Sequence, residues 1–209
     1  MDPNRPVEKR YGAYLPHWSQ EGATYFVTFR LGDSLPRDVV VRLKTERAEL
    51  LNRARKAEGG IAPRELARIK RLFSEKVDRY LDAGRGSCWM TRPEAAKVVA
   101  EALTHFDGDR YGLVAWSVMP NHVHAVFQPW GLHRLEGVLH SWKSFTSRRI
   151  NKAVGRSGRV WQPEYFDHLI RGVADLEHAI QYTQGNPQAA GLRNWTWVGG
   201  SAVARASRP

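Results

Sequence analysis

The sequence predicts an α+β domain built on antiparallel strand pairing, with a helical insertion at about residues 37–82. Three observations carry this expectation. Residues 111–119 and 122–128 are two runs of β-formers separated by a Pro-Asn turn, the spacing of an antiparallel hairpin. Segments of good helix formers at 92–106, 132–153 and 173–184 interleave with the strand runs. The charged stretch at 37–82 is broken at Glu58-Gly-Gly-Ile-Ala-Pro63, so it reads as a helical pair.

The elements follow in order. Tyr25-Phe-Val-Thr-Phe-Arg-Leu31 is a strand that ends at Gly32-Asp33. Residues 37–56 and 63–81 form the two inserted helices, and 82–87 is a glycine-bearing loop. Pro93 fits the first turn of the 92–106 helix. After the hairpin comes a basic helix at 132–153, then a flexible turn at 155–158. Residues 165–170 form an extended segment suited to a fourth strand. The 173–184 helix is expected to stop before Pro187. Residues 1–200 thus read as one domain, with 201–209 as a disordered tail.

Composition narrows the function. The 209 residues carry 32 Lys+Arg against 21 Asp+Glu, a net charge of +11. A hydrophobic share of 42% excludes a wholly disordered basic tail. The apolar run at 111–119 is too short to span a bilayer, and residues 1–10 show no secretory pattern, so no membrane partner and a cytoplasmic, nucleoid-associated location are expected. Cys88 is the only cysteine, which rules out an intrachain disulfide and a multi-cysteine metal site. The excess charge favours nucleic acid as partner. It sits in 37–57, 63–79 and 133–159, and the last holds seven bases against Glu136 alone. There Trp142, Lys143, Ser144, Arg148, Arg149 and Lys152 combine groups that neutralise, hydrogen-bond or stack on nucleic acid. Trp142 and Phe145, at i and i+3, equally fit the buried stripe of that helix.

His122 and His124 flank Val123, and residues two apart on a strand share a face. Their imidazoles project side by side, a sound geometry for two ligands of one divalent cation; the plainer alternative is two exposed polar positions. On the 173–186 helix, Asp175, His178, Tyr182 and Asn186 follow at spacings of three, four and four. Either Tyr182 marks the boundary between core and solvent, or it is a nucleophile with Asn186 as third metal ligand one turn on. A phenol has a pKa of roughly 10, so its attack on a phosphodiester gains from a cation that stabilises developing charge. The products are a phosphotyrosine and a free 3′-hydroxyl. Because the bond is stored, no nucleotide triphosphate is needed, and no phosphate-binding Gly-x-x-x-x-Gly-Lys-Ser/Thr loop is present.

Trp116-Ser-Val-Met-Pro-Asn-His-Val-His124, Trp142-Lys-Ser-Phe-Thr146, Trp161-Gln-Pro-Glu-Tyr-Phe-Asp167, Tyr182-Thr-Gln-Gly-Asn-Pro187 and Ala190-Gly-Leu192 occur in one order. In that order they resemble the REP-associated tyrosine transposases, within the single-tyrosine HUH superfamily. The resemblance spans about residues 10–200. It implies a ferredoxin-like antiparallel sheet with helices on one side, here with a helical-hairpin insertion. It implies nicking and strand transfer on single-stranded DNA beside a hairpin formed by a repetitive extragenic palindrome, through a 5′-phosphotyrosine, by a monomer or homodimer. It places His122 and His124 in the HUH pair, Tyr182 as nucleophile and Asn186 as further ligand of Mg²⁺ or Mn²⁺. Thr183 and Gly185 depart from the family's usual pattern and predict a looser helix end. Tyr165, the rival nucleophile, lacks an amide one turn away. Two other functions remain open from the residues alone: a non-catalytic hairpin-DNA binding protein, and a water-using metal-dependent phosphodiesterase in which Tyr182 is structural.

Overall fold

The computed structural model describes residues 8–11, 16–19, 22–55 and 63–200. The 201–209 tail expected from the sequence lies outside them. A small hairpin of β1 (Glu8–Tyr11) and β2 (Pro16–Ser19) precedes the main sheet. Then follow β3 (Tyr25–Arg30), the inserted helices α1 (Arg37–Arg55) and α2 (Pro63–Asp82), and α3 (Pro93–Thr104). The chain continues through β4 (Tyr111–Val118), β5 (His122–Pro129), α4 (Leu135–Ala153), β6 (Phe166–Leu169), α5 (Val173–Ala189) and β7 (Val198–Gly200). The main sheet is antiparallel throughout, in the order β6-β3-β5-β4-β7. Without the β1–β2 hairpin, the insertion, α5 and β7, the chain runs β-α-β-β-α-β with the last strand beside the first, which is the ferredoxin-like arrangement.

Strand alternation divides the side chains between two faces. Tyr25, Val27 and Phe29 of β3 join Val123, Ala125 and Phe127 of β5 in the main core, under α3 and α4. Trp142 of α4 lies in that core at 2% exposure. Its ring centre is 4.7 Å from that of Phe127 and 5.2 Å from that of Tyr111. Its indole N–H donates to the Tyr111 hydroxyl at 2.9 Å, so the one polar atom is satisfied. These two crossover helices cover one side, as the resemblance implies. Helix α5 is additional: it lies across the other face, where Phe26, Ala115, Val126, Ile170 and Ala179 pack together.

Two boundaries differ from expectation. Helix α5 continues through Pro187 to Ala189 instead of stopping before it. Proline removes one backbone donor, and the turn beyond is secured when the Ala190 N–H donates to the Asn186 carbonyl at 2.9 Å. The looser end expected from Thr183 and Gly185 is absent, since Thr183, Asn186 and Pro187 are all buried. Strand β7 is short and glycine-rich, so it carries no β signature in sequence. It pairs with β4 because a Cβ at Gly199 would lie 2.6 Å from the Trp116 ring, and glycine has none.

The insertion has a small core of its own, formed by Val39, Leu43, Ile69 and Phe73. Its far end is tied to the sheet by Asn121, in the turn before β5. The Asn121 side-chain amide donates to the carbonyls of Leu81 at 3.0 Å and Arg85 at 2.9 Å. This link brings the C-terminal turn of α2 to the rim where β5 begins.

Candidate active site

β5 sends His122 and His124 to the face opposite the main core, and both are 0% exposed. Their Nε2 atoms lie 3.0 Å apart. Each outer nitrogen has its own partner: His122 Nδ1 meets Asn121 Oδ1 at 2.7 Å, and His124 Nδ1 meets Thr28 Oγ1 at 2.8 Å. Asn121 already donates both bonds from its amide nitrogen, so its oxygen is the acceptor and His122 Nδ1 carries the hydrogen. A neutral His122 therefore aims an Nε2 lone pair at His124. Burial holds both imidazoles below their usual range, His124 at about 3, and the neighbouring ring further disfavours charge on His122. Neutral imidazoles oriented through Nδ1 are what a metal requires of histidine.

Helix α5 brings Tyr182 and Asn186 to this same face. The Tyr182 ring stands edge-on to His124, with centres 5.4 Å apart, and edge-on to Phe26 at 5.7 Å. Asn186 is 4% exposed, and its Oδ1 has no hydrogen-bond partner. Buried Thr183 Oγ1 and Ser117 Oγ are unpartnered too. Ser117 pairs with His124 across the strands, and Thr183 follows Tyr182 on α5. Unpartnered oxygens are costly in a core, at about 1–3 kcal/mol each. On the strand beside the histidines and on the helix that packs over their face, they are oxygen donors of the kind that joins imidazole nitrogens around a divalent cation.

Three contributors escaped the sequence reading. Thr28 orients His124. Arg30 stands opposite His122 on β3; burial lowers its guanidinium to about 10, so it remains cationic at neutral pH. The third is the end of α2. The Tyr182 hydroxyl donates to Asp78 Oδ2 at 2.8 Å, and Asp82 Oδ1 lies 3.9 Å from His122 Nε2. The Tyr182 phenol is pushed above its ordinary range by burial first, then by the charge and hydrogen bond of Asp78 and the charge of Asp82; Asn186 opposes this. Alternation along β3 would have placed Thr28 and Arg30 on one face. Nothing local joins α2 to Tyr182, which is 104 residues from Asp78.

The basic helix, read from the sequence as a nucleic-acid-binding segment, does not lie over the histidines. Helix α4 covers the sheet face opposite the histidines. Trp142, expected among the DNA-contacting residues, is a core side chain, because its ring fills the space between Phe29, Phe127 and Tyr111. Lys143 donates to the Pro163 carbonyl at 2.7 Å, and Ser144 Oγ lies 3.3 Å from His140 Nε2. Arg148, Arg149 and Lys152 are exposed. Tyr165 packs against the α4 side, and its hydroxyl is raised above the ordinary range by burial and then by Asp167 and other nearby groups. It is on the wrong face to meet the histidines.

Part of the chain is similar to known proteins. Residues 90–186 match the family of IS200-like transposases. More narrowly, the chain resembles the REP-associated tyrosine transposase of Escherichia coli (strain K12), at 28% identity over 93 residues. That alignment covers 44% of this chain and 53% of the relative, so the two share about half their lengths. Among solved structures, a REP-associated tyrosine transposase bound to a REP hairpin overlaps with a TM-score of 0.48 and 17% identity. The overlap covers 91% of this chain and 81% of that one. The resemblance read from the ordered motifs agrees with the family and the relative that match. The family match begins at residue 90, after β3 and the insertion. Among the described residues no helix is long and apolar enough to cross a membrane.

Proposed function

We propose that this protein cleaves and rejoins single-stranded DNA next to a hairpin formed by a repetitive palindrome, with Tyr182 as nucleophile. The observation that carries this reading is the convergence of the Tyr182 ring with the His122 and His124 pair on one sheet face. His122, His124 and Asn186 would hold a divalent cation, Mg²⁺ or Mn²⁺. When bound, such a cation polarises a phosphoryl oxygen and stabilises the charge that develops there.

The remaining steps belong to the chain's own groups. Tyr182 rests protonated, with its hydroxyl hydrogen directed at Asp78. As DNA enters, that hydrogen leaves the phenol for the Asp78 carboxylate, and the phenolate oxygen bonds to phosphorus. The bond from phosphorus to the 3′-oxygen breaks, and that oxygen takes a proton from water. The result is a 5′-phosphotyrosine and a free 3′-hydroxyl. Attack by a 3′-hydroxyl on the phosphotyrosine reverses the sequence, returns the hydrogen to Tyr182 and rejoins the strand. Arg30, a half-buried cation beside His122 in the sheet, is placed to neutralise the phosphate. Arg148, Arg149 and Lys152 lie across the sheet, so their part is to hold hairpin phosphates away from the scissile bond.

The raised Tyr182 hydroxyl favours one competing reading, in which water attacks and the tyrosine only orients. One gel separates them. Wild-type protein, hairpin-bearing single-stranded DNA and Mn²⁺ are incubated and run under denaturing conditions. The expected result is a covalent protein–DNA adduct that disappears in Tyr182→Phe; cleavage that survives this substitution without an adduct assigns the reaction to water. Binding with no cleavage in any metal assigns the protein to hairpin recognition alone.

A further inference from the structure

The end of the sheet where β5 begins carries a second feature, which the reaction leaves unused. Loops from distant parts of the chain meet there. The Met90 N–H donates to the Pro120 carbonyl at 3.1 Å, just ahead of His122. The Gln162 N–H donates to the Arg30 carbonyl at 2.9 Å, and the Gly32 N–H to the Val160 carbonyl at 2.8 Å. The segment between α2 and α3 and the segment after α4 are thereby fastened to the two strands that carry His122 and Arg30.

Trp89 lies in a single 3-10 turn (Trp89–Thr91) of the first segment, half-buried against the main core. The guanidinium of exposed Arg92 lies 5.4 Å from the centre of its ring. That of half-buried Arg156, from the second segment, lies 5.6 Å away. One guanidinium on an indole is a common attraction. Two on the same indole bring like charges together, and neither arginine forms an ion pair among the described residues. Asp33, an acid at this end, is already engaged, since Ser87 donates to its Oδ2 through the backbone N–H, at 3.0 Å, and through the hydroxyl. Arg156 gives one N–H to the Arg159 carbonyl at 3.2 Å. Stacking on a ring leaves the edge of a guanidinium open, so further donors of both arginines face outward. Paired guanidinium edges match the oxygens of a phosphate.

The place decides which phosphate. His122, His124 and Tyr182 occupy one face of the sheet, and α4 covers the other. Lys152 is in the last turn of α4, and the chain runs from there into the turn that holds Arg156. A strand that leaves the histidine face for the exposed bases of α4 crosses this end of the sheet. We infer that Arg92 and Arg156, braced on Trp89, clamp phosphates of the single strand where it passes from the site to the hairpin. This rests on the proposed reading that the protein acts on hairpin-bearing single-stranded DNA. It supplies the link between a reacting face and a basic helix on opposite sides of one sheet. Trp89 sets the direction of the guanidiniums, and the arginines make the contacts.

The test is equilibrium binding to the full chain by fluorescence anisotropy in EDTA, so that no strand is cut. Two labelled probes are compared: a DNA hairpin with oligothymidine extensions at both ends, and the same hairpin without extensions. Arg92→Gln and Arg156→Gln are each expected to weaken binding of the extended hairpin about three- to tenfold. The double variant should lower its salt slope by about 0.7 unit for each phosphate released. Binding of the bare hairpin should stay as in wild type. Lys97→Gln removes the same charge from α3, at a lysine 3.8 Å from Glu101, and should match wild type on both probes. Arg92→Lys and Arg156→Lys keep a cation on Trp89, and so guard against loss of fold; lacking the planar fork, they should rank between wild type and glutamine on the extended probe. If the glutamine and lysine variants all bind the extended hairpin with wild-type affinity and slope, the clamp is refuted and the proposed function stands without it. Equal losses on both probes refute it too, because the arginines then serve the duplex or the fold. If wild type binds neither probe, the inference and the DNA reading fall together.

Discussion

The two faces of the central sheet are both buried, but with opposite chemistry. On the α4 face, Phe29, Phe127, Leu139 and Trp142 interlock, and the indole N–H finds the Tyr111 hydroxyl. On the α5 face, positions just as buried hold His122, His124, Thr183 and Asn186, and Thr183 Oγ1 and Asn186 Oδ1 lack a partner. The difference shows where stability comes from and where it has been given up. The α4 face holds the fold together, and the α5 face carries the unpartnered polar groups of the proposed site.

Substitutions on each face sharpen that contrast. The largest effect expected is loss of the covalent adduct in Tyr182→Phe, read on a denaturing gel, with stability changed by no more than about 1–2 kcal/mol. Trp142→Ala should do the reverse. It empties the aromatic core and is expected to cost about 3–5 kcal/mol in urea unfolding, while the protein that remains folded still binds Mn²⁺. An adduct-deficient but stable Trp142→Ala would put this ring in the DNA path and break the comparison. Thr28→Val keeps shape but removes the oxygen that orients His124. Loss of such an orienting partner weakens metal binding about 10–100-fold, measurable by calorimetry. Neutralising Arg148, Arg149 and Lys152 together should weaken hairpin binding and lower its salt slope by about one unit for each phosphate no longer neutralised. Cleavage of bound DNA should continue unchanged, and an unaltered slope would put the hairpin elsewhere.

The smallest effect concerns Lys143, on the stable face. Burial lowers its ammonium to about 8, with Glu164 opposing and Arg159 adding to the shift. Its unfolded value is about 10.4, so between these two pH values the unfolded chain binds more protons than the folded one. This group therefore adds stability as pH rises from about 8 to about 10. Urea midpoints for wild type and Lys143→Met should accordingly move in favour of wild type over that range. A constant difference would mean that the lysine stays solvated in the folded state.

The histidine pair and the Tyr182–Asn186 pair were readable from spacing, whereas the side of the sheet that the basic helix covers was not. Net charge over 133–159 gives the sign of that helix, but not its place. Trp142 fits either a stacking platform or a core stripe at the level of sequence; only its ring contacts choose. Pro187 argues for a helix end locally, and packing of Thr183 and Asn186 against the sheet carries the helix past it.

By itself, the sequence determined the local directions. A strand repeats every two residues and a helix every 3.6, so His122 with His124 and Tyr182 with Asn186 had to share faces. Tertiary structure decided which faces meet. Docking α5 rather than α4 over the histidines, and anchoring the end of α2 through Asn121, are choices made by contacts remote in the chain. Asp78 reaches Tyr182 across 104 residues, and Asp82 reaches His122 by the same route. Local periodicity has no term for such distances, because side-chain packing and a few buried hydrogen bonds set them.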